Sequence, residues 1–319
     1  MVEGDDGNRA QVGVHVYSSE DLYNWTDEGI ALAVIENDLS SEIAKGCILE
    51  RPRVIYNENT NRFVMWFHLE HRNTGYNGAL AGVAVAKNPT GPFRFVHSLR
   101  PNAGHWPENV LPFHKQAVAD SIKDHYWGWD GALPAHVDSL NLLGRDFEKG
   151  QMARDMTLFV DVDGKGYHLY SSEENSTLHI SQLSEDYLSH SGKYTRVFVG
   201  RYMEAPTMFR NSDDKYFIIA SGCTGWAPNA ARSAVANHIF GPWKELGNPC
   251  SGPNSDLTFN SQGTFILPIR GKKDAFIFMA DRWYPKNPIE GKYVWLPIRI
   301  ENDIPILEWS DKWSLDEID

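Results

Sequence analysis

Four stretches of the chain carry the same alternation: a strand-like run, a polar turn, then a strongly apolar and aromatic run. They are residues 53–67 (RVIYNENTNRFVMWF), 157–171 (TLFVDVDGKGYHLYS), 207–221 (TMFRNSDDKYFIIAS) and 264–280 (TFILPIRGKKDAFIFMA). Self-similarity at a period of roughly 50 residues, with a two-residue rather than helical rhythm, is the pattern of propeller blades.

A second repeated unit follows the first, in residues 12–25 (VGVHVYSSEDLYNW), 81–93 (AGVAVAKNPTGPF), 178–188 (LHISQLSEDYL) and 231–243 (ARSAVANHIFGPW). Each reads as a short alternating strand ending in a turn of Asp, Pro or Gly, with an aromatic to close the outer rim. Together the two units predict an all-β, five-bladed β-propeller. Blades two to four start near Glu50, Asp155 and Ala205; the fifth runs from Gln262 through Tyr293 to residue 300 and on to 305–309. Blade one is apparently incomplete at the N-terminus, because it opens at Val12 with a third-strand unit behind a polar, Gly-rich stretch. A Met followed by such a stretch is what a gene fragment or alternative start would leave, and the missing inner strands would line the axis.

One segment breaks the repeat. An insertion at about residues 102–152, rich in His, Trp and Pro, separates blades two and three. Its aromatics Trp106, Tyr126, Trp127 and Trp129 fit a sugar-stacking loop or a self-packed flap equally well.

Composition agrees with a single domain, 1–319, since 42% hydrophobic and 12% aromatic residues supply ample core. No run approaches the roughly 18 apolar residues of a membrane span, and no signal peptide opens the chain. A formal net charge of -12 argues against nucleic acid or an anionic membrane as partner. Cys47, Cys223 and Cys250 are an odd set without metal spacing, so free thiols, or one bridge plus a free thiol, are expected. No cofactor and no metal are called for: the DVDG at 161–164 reads as turn chemistry, and His68 and His71 in HLEH lack a helix and a third ligand. Trp66, Phe67 and Tyr170 read as core between blades.

The chemistry lies where the inner strands begin. The first strand of each blade lines the central channel, so polar residues at those starts converge in one funnel. In order they are Glu50 (LERPRV), Asp155 (ARDMTLF), Glu204 (MEAPTMF) and Gln262 (NSQGTFI). Converging carboxylates suit glycoside hydrolysis, in which one group stays protonated to donate to the leaving oxygen and another tunes it by like-charge repulsion.

With these motifs the sequence resembles glycoside hydrolase family 43, five-bladed inverting enzymes that trim plant polysaccharide side chains, over nearly all of residues 12–309. The resemblance implies Glu204 as general acid and Asp155 as modulator of its pKa. It also implies an aspartate base on blade one, which this chain does not supply. TFNSQGTFILP at 258–268 is similar to a motif of the family's exo-β-1,3-galactanases, in which a glutamine, here Gln262, positions or activates the water. Glu50, Tyr76, Asn175 and Thr224 resemble that subgroup's sugar-binding positions, and Trp226 in GCTGWAPN is a further candidate. The expected activity is exo-β-1,3-galactosidase or galactanase on arabinogalactan-type glycans, by single displacement. α-L-Arabinofuranosidase or β-xylosidase activity is the alternative, and a non-catalytic carbohydrate-binding propeller the third reading. An oligosaccharide or polysaccharide is the expected partner, and the family implies an extracellular or periplasmic location. A structural calcium on the propeller axis is not indicated.

Overall fold

In the computed structural model, which describes residues 8–120, 134–284 and 290–318, the chain forms five sheets whose main strands pair antiparallel. Blade one is two-stranded, β1 (Gly13–Ser18) and β2 (Thr26–Ala33). Blade two is β3 (Ile48–Asn57), β4 (Arg62–Glu70), β5 (Leu80–Ala86) and β6 (Arg94–Leu99). Blade three is β7 (Met156–Val160), β8 (Gly166–Ser172), β9 (Thr177–Leu183) and β10 (His190–Val197). Blade four is β11 (Met203–Arg210), β12 (Tyr216–Gly222), β13 (Arg232–Ala236) and β14 (Lys244–Gly247). Blade five holds β16 (Gln262–Pro268), β17 (Phe276–Arg282), β18 (Lys292–Glu301) and β19 (Ile304–Glu308). An unforeseen two-residue strand, β15 (Cys250–Ser251), lies parallel to β19 at its outer edge.

The innermost strands follow one another around the axis, β3 against β7, β7 against β11 and β11 against β16. Apolar residues pack between blades. Met65 and Phe67 join Ala31 and Leu32 between blades one and two, Trp66 and Tyr170 fill the layer between two and three, and Phe217 and Phe278 that between four and five. A sheet with both faces covered needs apolar side chains on both, which is why β4 and β12 read as nearly continuous apolar runs, whereas β8 also buries His168, Ser171 and Ser172.

The described part of the insertion packs on itself and on blade three. Its helices α1 (Pro134–Leu140) and α2 (Leu142–Arg145) are short, Trp106 stacks on Phe147 at 4.1 Å, and Asn102 donates to Tyr170 and Ser181. Trp106 is therefore a packing residue; Tyr126, Trp127 and Trp129 lie outside the described residues. The DVDG segment is the β7–β8 turn, with Asp161 accepting from Arg210 and Tyr216. All three cysteines are free. Among the described residues no helix is long and apolar enough to cross a membrane, and no group of three His, Cys, Asp or Glu could hold a metal ion.

Candidate active site

Three inner strands break their ladder at the same place. In β3, Arg51 and Pro52 together oppose a single residue of β4; in β11, Ala205 and Pro206 do the same against β12; in β16 the break falls at Thr264. Proline has no N–H to give a ladder, and a bulge is where that costs nothing. Arg51 and Ala205 take positive φ, 51° and 48°. The kinks turn the residues beside them, Glu50, Arg51, Glu204 and Gln262, toward the axis.

There they border a cavity of about 400 Å³, lined by Glu50, Arg51, Asp155, Ser221, Gln262 and Asp281 and rimmed by Trp226 and Trp283. The two indole rings lie 5.9 Å apart, and Trp226 is 57% exposed, so its face is open to a sugar.

Glu204 lies beside this cavity. Its Oε1 accepts from the Cys223 thiol (3.2 Å) and the Asn175 amide (3.3 Å). With both donors on Oε1, Oε2 is left to carry a proton. Burial, reinforced by the negative charge of Asp155, pushes the Glu204 carboxyl up to about 7. Asp155 is itself pinned, its Oδ2 accepting from the backbone N–H of Ala205 (3.0 Å) and facing Arg51 Nε at 3.2 Å. Asn175 ends a turn in which Glu173, Glu174 and Asn175 all take positive φ. That turn is clamped from behind: Arg196 grips Glu173 with two hydrogen bonds and reaches Asp138 of the insertion, while Arg145 of the insertion binds Glu174 at 2.9 Å.

Arg51 organises the opposite side. It donates to the Gln262 carboxamide oxygen and lies 3.8 Å from Asp281, and Gln262 Nε2 donates to Ser221 (2.8 Å). Burial works against its charge, but Asp155 and Asp281 keep the guanidinium protonated. Glu50 is fixed by the Tyr76 hydroxyl (2.7 Å), which also accepts from Asn8, and by His68 Nδ1 at 3.3 Å. Buried His68 also meets Glu70, which accepts from the backbone N–H groups of Gly78 and Ala79. Burial opposes protonation of this imidazole, yet Glu50 and Glu70 push it up to about 9.

Of the sequence candidates, Glu50, Asp155, Gln262 and Trp226 line the cavity, while Glu204, Asn175 and Tyr76 are tied to it through hydrogen bonds or charge, Asn175 on Glu204, Tyr76 on Glu50 and Glu204 beside Asp155. Thr224 stays apart from them: its hydroxyl donates to Ala227 and accepts from Asn229, bracing the loop that carries Trp226, and it is not among the cavity-lining residues. Arg51, Ser221, Asp281, Trp283 and His68 escaped the sequence reading. Asp281 lies near the end of the second strand of blade five and Trp283 just beyond it, much as Asn175 and Trp226 follow the second strands of their blades, and that equivalence was the available signal.

Residues 117–288 match the sequence profile of glycosyl hydrolases family 43. No curated protein matches the chain. Among solved structures, a family 43 β-1,3-galactosidase determined with galactodeoxynojirimycin shares 47% identity at a TM-score of 0.90, over 96% of this chain and 88% of that one. An exo-β-1,3-galactanase from Clostridium thermocellum shares 32% (TM-score 0.72, 96% of this chain and 57% of that one). One from Phanerochaete chrysosporium, in a variant determined with β-1,3-galactotriose, shares 28% (TM-score 0.74, 98% and 60%). The chain belongs to glycoside hydrolase family 43.

Proposed function

We propose that the protein is an exo-acting β-1,3-galactosidase that removes terminal galactose from arabinogalactan-type glycans with inversion. The observation that carries the reading is Glu204, a buried carboxyl held near 7 by its surroundings and by Asp155 at the edge of the cavity. A general acid works best with a pKa near the operating pH. Glu204 protonates the glycosidic oxygen, Asp155 keeps that proton in place, and Gln262 orients the attacking water. Glu50, Tyr76 and Asn175 serve as hydroxyl-binding groups and Trp226 as a stacking face. The cavity is at the small end of the roughly 300–1,000 Å³ range of ligand sites, which suits one terminal sugar rather than a long chain segment. Galactose as that sugar follows from the named activities of the similar structures. A polymeric substrate that does not cross membranes would place the enzyme outside the cytoplasm.

The test compares sugar release from β-1,3-galactobiose, an α-L-arabinofuranoside and a β-xyloside. Galactose release at least about 100-fold faster than either pentose is expected, a margin of roughly 2.7 kcal/mol in the transition state. Preference for a pentoside favours the family's arabinofuranosidase or xylosidase activity, and no turnover on any of the three contradicts the proposal.

A further inference from the structure

Glu50 faces the cavity with a ring of buried polar groups behind it. It sits directly across the β3–β4 pair from His68, and Glu70 follows two residues along β4, so the three side chains share one face of the sheet. His68 Nε2 meets Glu70 Oε1 at 3.0 Å, and Nδ1 faces Glu50 Oε2 at 3.3 Å. Glu70 accepts in turn from the backbone N–H groups of Gly78 (2.6 Å) and Ala79 (2.9 Å), at the end of the connection to β5 that carries Tyr76. Tyr76 closes the ring by donating to Glu50 Oε1 (2.7 Å).

The two carboxylates on His68 are not held alike. Glu70 is fully buried and anchored by two backbone donors, whereas Glu50 lines the cavity and is met by the side chains of Tyr76 and His68. An imidazolium suits the place between them, since it has two N–H donors and no acceptor. A neutral imidazole keeps one N–H and turns a lone pair on its other neighbour. With Glu70 anchored, the N–H stays on Nε2 and the lone pair falls against Glu50. The Nδ1 contact is already the looser of the two, lying off the line of a full hydrogen bond. Loss of the proton therefore acts on the cavity side of the ring.

Resting on the galactosidase reading above, we propose that His68 is a positioning residue for the sugar: as an imidazolium bridging Glu70 to Glu50 it fixes the carboxylate that accepts from galactose hydroxyls, so that galactose affinity depends on one proton on His68. The sign with pH follows from the surroundings. Burial opposes the charge, but Glu50 and Glu70 push His68 up to about 9, so the proton is lost as pH rises through that value. The groups facing His68 are Glu50 from β3, Glu70 on its own strand and Tyr76 from the connection, while β5 sets Ala81 opposite it. Arg51 acts on Glu50 and Asp155 on Tyr76. Burial and Glu50 push the Tyr76 phenol well above its ordinary value, so it keeps its proton over the same range.

Galactose binding reads this proton without turnover. A Glu204→Gln background removes the carboxyl that titrates near 7. In it, calorimetry should give a constant galactose Kd at about pH 7 to 8 and an affinity about ten-fold lower once pH has passed 9. By reciprocity galactose raises the proton affinity of His68, so binding near pH 9 takes up roughly half a proton, seen as a heat that varies with the ionisation enthalpy of the buffer. Adding His68→Gln should weaken galactose binding about ten-fold at pH 8 and abolish both the limb near 9 and the proton uptake. His68→Asn takes its place should that form not fold. Galactose affinity that stays constant to pH 10 with His68 present overturns the assignment, and so does a limb near 9 that persists in the His68 variants. Either result leaves the galactosidase reading standing, because galactose still binds. Galactose that binds at no pH counts against that reading and removes this proposal with it.

Discussion

In the proposed reaction Glu204 and Asp155 divide one task between two carboxyls. Glu204→Gln removes the donated proton, so hydrolysis of β-1,3-galactobiose should fall by a factor on the order of 10³ with folding intact, and β-galactosyl fluoride, whose leaving group needs little protonation, should suffer far less. Equal loss on both substrates would mean that Glu204 is not the acid. The pH profile tests its neighbour. With Glu204 held at about 7, activity falls as pH rises through that value and the acid loses its proton. Asp155→Asn deletes a negative charge that favours the protonated form, so the alkaline limb should move to lower pH. Cys223→Ala should move it the other way, because the thiol hydrogen bond favours ionised Glu204. A limb that stays put in both variants contradicts the electrostatic account.

At the scale of the element, bulges and turns decide what the blades present. The four inner-strand starts were legible because a polar residue opens each otherwise apolar strand, and three of the four, Glu50, Asp155 and Gln262, line the cavity, with Glu204 next to it. Arg51 was not legible. In regular pairing neighbouring side chains point to opposite faces; the bulge and the positive φ at Arg51 suspend that rule, and a sequence shows neither. His68 read as an unremarkable histidine because its partners Glu50 and Glu70 are set by pairing across β3–β4. The clamp behind Asn175 depends on burial of Glu173, whose carboxyl Arg196 and His179 hold far below its usual range despite that burial. Arg196→Ala should therefore leave an unpaired buried charge and cost about 3–5 kcal/mol in urea unfolding. The sign with pH follows: because the folded carboxyl is harder to protonate than the unfolded one, the stability Glu173 supplies is full above about pH 4.5 and is lost as pH falls below it. A variant as stable as its parent would remove the clamp from the account.

For the molecule as a whole, the 50-residue repeat carries the architecture, since a propeller is one hairpin unit repeated and packed against its neighbours. Blade one, with only β1 and β2, follows the same rule in part: its packing layer against blade two is present in Ala31, Leu32 and Phe67, while the inner edge of β1 has no strand partner among the described residues. The site is framed by blades two to five together with residues 8–13 at the start of blade one, and in the proposed reaction the acid Glu204 and the water-orienting Gln262 stand on different blades, four and five. Single displacement requires about 6.5–9.5 Å between such groups, room for a water. The most direct measurement is proton NMR of the first sugar released from β-1,3-galactobiose, followed before mutarotation. The account predicts α-galactose as the first-formed anomer, with the β form growing in later; β-galactose appearing first would contradict it.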